Sequence, residues 1–207
     1  MEEENKIISF VGYHGTDSKN TSSILKEGFK PSLGDNEWLG DGVYFFIEGL
    51  HKIPQEQATK WASCESWNKS KKEYTYDELS VLECNIQVEK DHLLDLTCSD
   101  GVELFEYIRD RHAEKIKKVA EKKRTEIIYQ DGALINFANK YLDLGIQVSK
   151  GNFYIKFAIE RIKKYNQRTA NATICSVVNP SENIKECKHV LTKKVPYETD
   201  KQNKGEN

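Results

Sequence analysis

No apolar run in the 207-residue chain approaches the roughly 18 residues that a membrane-crossing helix needs, which excludes a helical membrane protein from the expectations. Charge of one sign is also lacking: 31 Lys and Arg residues stand against 33 Asp and Glu. A strongly basic chain would point to nucleic acid as its partner, and this balance does not. The amino terminus, MEEENKIISF, is acidic where a secretory leader would be basic, so a cytoplasmic setting is expected. The five cysteines (Cys64, Cys84, Cys98, Cys175 and Cys187) are odd in number, widely spaced and contain no Cys-x-x-Cys pair. That pattern disfavours both a disulfide framework and a zinc site, and reduced core thiols are expected instead. His51, His92, His112 and His189 lack the spacing of metal ligands, so no metal is expected. No internal repeat is visible.

What is present suffices for a core. Apolar residues make up 38% and aromatic residues 10%, which argues against disorder. IISFVGYH alternates and predicts a strand at about residues 7–13. Asp17 suits the cap of a short helix through SKNTSSILKEGF, with Ile24 and Leu25 inward and Gly28 at its end. GVYFFI reads as a second strand, with Val43 and Phe45 on one face and Tyr44 and Phe46 on the other. Pro54 opens a helix whose buried stripe is Ala58, Trp61 and Ala62. ELSVLECNIQV predicts a long strand and HLLDL a short one.

Residues 102–124 then place Leu104, Phe105, Ile108, His112, Ile116 and Val119 at helical spacing, and residues 131–144 repeat the pattern with Leu134, Phe137, Ala138, Tyr141 and Leu142. Strand-like segments, NFYIKFAI and ATICSVVN, follow Gly145. The expected architecture is α+β: one domain over residues 1–191 with a helical insertion at about 98–150, and a polar, disordered tail over 192–207.

The chemistry starts at His14-Gly15-Thr16. Glycine after a strand-borne histidine lets backbone amides approach a ligand while imidazole and hydroxyl aim into the same cleft. By itself the tripeptide reads more readily as structure than as a site. The same holds for GDGVYFF, where Gly-x-Gly is commonly a turn and Tyr44 a packing residue.

Together, YHGT, then ILKEGF, then GDGVYFF resemble the amino-terminal half of the ADP-ribosyltransferase fold, in its poly(ADP-ribose) polymerase and diphtheria-toxin-like branch. The similarity is strongest over residues 12–47, with VLECNIQVEKDHLLDL and TICSVVNPSENIK adding to it, while residues 98–150 match nothing in that family. The resemblance implies a split β-sheet core and NAD as substrate. His14 would hydrogen-bond a ribose hydroxyl, and the Gly15 backbone would pair with the nicotinamide carboxamide. Thr16 would hold the adenosine side or brace His14. Gly42 belongs to the second glycine motif, ahead of Tyr44, which would stack on the nicotinamide ring. Trp61 would form the other face of that sandwich or simply belong to the helix core. Cleaving the bond to a cationic leaving group passes through an oxocarbenium-like state, for which orientation and stacking matter more than acid–base work.

One departure stands out. Where the family carries a glutamate at the start of a late strand, this chain has Thr173, or Asn171 in a shifted register, and neither ionises; Glu160 lies in the preceding segment. That implies transfer of a single ADP-ribose to a protein or nucleic-acid acceptor, and leaves open a catalytically silent NAD- or ADP-ribose-binding module. The RNA 2′-phosphotransferase branch of the same fold relies on arginines beside its histidine, and none stands near His14. The resemblance further suggests a bacterial or phage-associated toxin or defence effector, with room for an antitoxin and no membrane partner. Residues 109–124 hold eight Lys or Arg residues against three acidic ones. A solvated helix face is the favoured reading and a phosphate-tracking surface the alternative, since no aromatics are interleaved.

Overall fold

The computed structural model describes residues 6–34, 36–120 and 129–196. In chain order, β1 (Ile7–Asp17) leads through a 3-10 turn (Ser18–Asn20) into α1 (Thr21–Glu27). Then come β2 (Val43–Ile47), α2 (Pro54–Glu65), the small hairpin β3 (Trp67–Asn68) and β4 (Glu73–Tyr74), β5 (Glu78–Glu89) and β6 (Leu93–Asp95). Two helices follow, α3 (Ser99–Ala120) and α4 (Asp131–Phe137), the latter continuing as a wider π-type turn over Ala138–Leu142. The chain closes with β7 (Val148–Phe153), α5 (Ala158–Ile162), β8 (Ala172–Val177), α6 (Pro180–Asn183) and β9 (Ile184–Lys194). The protein is α+β, with a seven-stranded mixed sheet in the order β6-β7-β8-β2-β1-β5-β9. Only β6 and β7 pair in parallel; the other ladders of that sheet are antiparallel.

Period-two alternation sorts the apolar side chains onto the two sheet faces. Val43, Phe45 and Ile47 of β2, Leu82, Cys84, Ile86 and Val88 of β5, and Cys175 and Val177 of β8 form one core, against which Ile24 and Phe29 pack. Phe46, Val81, Ala172 and Ile174 look the other way, into a second core with Ala58 of α2, Ile108 of α3 and Leu134 and Ile135 of α4.

Several expectations need correcting. β1 reaches Asp17 because every residue from Ile7 onward has a register partner on β5, ending at Asp17↔Leu79. His14, Gly15 and Thr16 therefore sit within the strand, not at its mouth. Asp17 caps the 3-10 turn by accepting from the Lys19 amide at 3.0 Å, and Leu25 of α1 faces solvent at 45% exposure. NFYIKFAI is not one strand: pairing with β8 ends at Phe153, and the amide and carbonyl of Ile155 bond the Asn171 side chain instead. β9 runs to Lys194 and takes in the first three residues of the segment read as tail; residues 197–207 lie outside the described residues. Cys84 and Cys187, opposite each other in the β5–β9 ladder with Cα atoms 4.1 Å apart, form a disulfide in place of the expected reduced thiols. Cys64, Cys98 and Cys175 are not disulfide-bonded.

In α3, Ile108 and His112 are buried while Leu104 is exposed. Arg109 and Arg111 pair with Glu106, Asp110 and Glu114 of their own helix, as on a solvated face. The rest of the basic cluster, with Ile116 and Val119, falls where no side chain is described.

Candidate functional site

The sheet has a weak seam. β1 pairs with β2 only at Gly12↔Ile47 and Tyr13↔Phe46. Beyond that point His14–Asp17 pair with β5 alone, while Val43–Phe45 pair with β8. Among the described residues no strand covers the other edge of His14–Asp17, so its peptide groups are available to a ligand. A cleft of about 710 Å³ opens there, within the size range of small-molecule sites.

His14 and Gly15 of β1, Tyr44 of β2 and Trp61 of α2 all line this cleft. The His14 ring stands edge-on to Phe29 (centroids 5.1 Å apart) and 5.7 Å from Phe45. Its Nδ1 lies 2.9 Å from the Tyr44 carbonyl oxygen. A carbonyl can only accept, so Nδ1 carries the proton and Nε2 is an acceptor in the neutral ring. Burial keeps the His14 pKa below the ordinary histidine value, which favours that neutral form.

Gly15 is demanded by packing. A Cβ there would run into the Ala58 carbonyl and lie 2.9 Å from the Ala62 methyl, so a side chain would push α2 off the sheet. The glycine motif thus has a structural reason that operates with or without a ligand.

The Tyr44 hydroxyl donates to the Gly40 carbonyl at 2.7 Å and accepts from the Leu39 amide at 2.8 Å. Burial pushes its pKa up to about 12, so it stays a neutral phenol holding the loop ahead of β2. With the hydroxyl committed, the ring is what Tyr44 offers to the cleft. Trp61 stands 6.2 Å edge-on from Trp38, and the Arg161 guanidinium lies 5.6 Å from the Trp61 ring centroid. Arg161 is held by Glu65 at 3.5 Å and by the Lys156 carbonyl at 2.7 Å.

Four other sequence candidates do not line the cleft. Thr16 is buried, and its hydroxyl accepts from the Asn20 side chain at 3.3 Å. Gly42 exchanges backbone hydrogen bonds with Ser32 at 2.9 Å, beside Ser176. Thr173 is 2% exposed; its hydroxyl donates to Asn152 at 2.7 Å and accepts from the Leu50 amide at 3.0 Å. Asn171 clamps Ile155 with its side chain and receives Gln57 on its carbonyl. The residue of β8 that reaches the cleft wall is Ile174. Glu160 does not line it either, and its buried Oε2 has no hydrogen-bond partner among the described residues.

Sequence reasoning missed Trp38, Phe29 and the carboxylates Glu27, Glu37 and Glu65, all of which line the cleft. A tryptophan inside the polar, glycine-bearing loop NEWLGD was the available signal, since such a loop has no core of its own to absorb it. No group of three or more potential metal ligands occurs among the described residues. No helix among them is long and apolar enough to cross a membrane.

No model of a known protein family matches the chain. An uncharacterized protein of the archaeon Methanocaldococcus jannaschii, MJ0359, is 30% identical over 188 residues, covering 82% of each chain.

Proposed function

The chain belongs to one family with that archaeal protein, and for this member we propose NAD-dependent mono-ADP-ribosyl transfer on an ADP-ribosyltransferase-like split sheet. The observation that carries the reading is convergence: His14, Gly15, Tyr44 and Trp61, up to 47 positions apart (61 − 14), line one cleft at the sheet seam. The cleft suits the ligand. Nε2 of His14 can accept from a ribose hydroxyl, and the uncovered backbone edge beside Gly15 can pair with a carboxamide. The Tyr44 ring, with its hydroxyl tied down, offers a fixed face for a planar cation, and Trp61 offers a second aromatic wall.

In the reaction the bond between nicotinamide and the ribose carbon breaks, and nicotinamide leaves neutral with the bonding pair. His14 holds the ribose and Tyr44 the departing ring, so the sugar is oriented for attack on the face opposite the leaving nicotinamide. No ionisable group reaches the cleft from β8, where Ile174 stands. That supports a single transfer over chain elongation, and it equally favours the rival reading of a silent NAD- or ADP-ribose-binding module. Calorimetry with NAD, followed by mass spectrometry of cell protein and nucleic acid for added ADP-ribose, separates the two. Binding with no nicotinamide release supports the silent module, and no binding refutes both. A cytoplasmic toxin or defence role belongs to the same proposal and rests on the resemblance alone.

A further inference from the structure

A second cavity, of about 290 Å³, is lined by Trp38, Gln130, Asp131, Phe153 and Tyr154. It adjoins the main cleft through Trp38, which lines both. We propose that this cavity is the acceptor subsite and that it takes a nucleobase, guanine in particular, which deepens the transferase reading and rests on it.

The insertion is built onto the loop that carries Trp38. A Cβ on Gly132 of α4 would run into the Glu37 carbonyl, so helix and loop touch backbone to backbone. Asn136 accepts from the Asp41 amide at 2.8 Å and donates to the Asp41 carboxylate at 3.0 Å. Gln130 and Asp131 are therefore held at a fixed place beside the cleft.

The lining selects the ligand. Trp38 and Phe153 stack on one another, 26° apart with centroids at 5.5 Å, and make a braced aromatic wall. The outer face of such a wall can stack a base of any sequence. Among the described residues that line the cavity, the charged group is the carboxylate of Asp131, which favours a ligand rich in N–H donors. A carboxylate can take two parallel N–H donors, which guanine presents as its ring N–H and adjacent amino group. The Gln130 amide can accept or donate beside it. The volume lies at the lower limit for small-molecule sites, enough for one base.

In transfer the lone pair of the base amino nitrogen forms the new bond to the ribose carbon as the nicotinamide bond breaks. The proton released from that nitrogen passes to the Asp131 carboxylate. The insertion would then supply the acid–base group that β8 lacks.

Calorimetry of the full chain with guanosine, and separately with a short single-stranded RNA holding one guanine, measures base binding without NAD. Both arms are repeated on Asp131→Ala and Gln130→Ala, with NAD binding measured alongside as a check on the main cleft. The expected result is base binding weakened about tenfold in Asp131→Ala, the loss of one bidentate contact. ADP-ribose should also appear on the base when NAD is added to the natural chain. Binding of guanosine alone assigns a free nucleoside as acceptor; binding of the RNA assigns the strand. Equal base binding in the natural chain and Asp131→Ala overturns the proposal, as does no binding at all or ADP-ribose found on protein with RNA untouched. If NAD does not bind while base binding still depends on Asp131, the nucleobase site stands and the transferase reading falls.

Discussion

The imidazole of His14 donates through Nδ1 to the carbonyl oxygen of Tyr44, 2.9 Å away, across the seam where β1 and β2 cease to pair. The two motif residues are thus one unit. The backbone that carries Tyr44 sets the tautomer of His14, and burial keeps the ring neutral. Truncating His14 would also open a hole between Phe29 and Phe45, so alanine mixes chemistry with packing. His14→Gln keeps most of the volume and a donor for the carbonyl. It should retain a melting temperature close to the parent while NAD turnover falls by two to three decades, about 2–4 kcal/mol of transition-state stabilisation. Full turnover in this variant would show that His14 serves packing alone.

Tyr44 separates ring from hydroxyl. Tyr44→Phe leaves the Leu39 amide without its partner and the Gly40 carbonyl with only the Ser176 hydroxyl at 3.5 Å, and should cost about 1–3 kcal/mol of stability. NAD affinity should stay within a few-fold, because the ring face remains. Tyr44→Ala should weaken NAD binding by at least about tenfold, the loss of one aromatic contact. Calorimetry on both variants with parallel urea melts checks this, and equal losses of affinity would assign the effect to the loop and not the ring.

A carboxylate introduced at Ile174 should reach the cleft wall, whereas one introduced at Thr173 should not. Ile174→Glu is expected to raise NAD hydrolysis by placing negative charge near the reacting sugar. Thr173→Glu would bury a charge between Asn152 and the Leu50 amide and should unfold or destabilise the chain by several kcal/mol. Nicotinamide release and thermal melts on the pair decide it. The expectation fails if Thr173→Glu is the folded, more active one.

The pH dependence follows from burial. His14 and His112 are both held below the ordinary histidine pKa by desolvation. Below about pH 6.5 the unfolded chain takes up protons that the folded chain refuses. The unfolded state then binds more protons, so stability is full above that value and declines as pH falls through it. Urea midpoints should therefore drop between about pH 7 and about pH 5.5, and less so in His14→Gln. NAD binding should hold down to the acid side of the ordinary value, since the acceptor Nε2 persists until the lowered pKa is reached. A midpoint that is flat across this range in the parent would contradict the burial argument.

Local pattern determined much of the fold. Alternation in IISFVGYH, GVYFFI and ELSVLECNIQV marked β1, β2 and β5, because side chains of a strand alternate faces whatever lies opposite. Pro54 and the Ala58/Ala62 spacing marked α2, since a first-turn proline and a small-residue stripe are properties of one helix alone. The likeness to one family singled out His14, Gly15, Thr16, Gly42, Tyr44 and Trp61, of which Thr16 and Gly42 lie outside the cleft that the other four share.

What the sequence left undecided were relations between distant segments. β9 is lysine-rich, as edge strands are, and its last three residues read as polar tail until β5 is seen beside them. The Cys84–Cys187 disulfide depends on that same register, across 103 residues. The placing of Thr173 and Ile174 shows the limit most clearly. Successive residues of β8 point to opposite faces, so an error of one position exchanges cleft for core. Only the pairing of β8 between β7 and β2, which sets Ile174 against Phe46 and Thr173 against Ile47, decided which side chain the cleft receives.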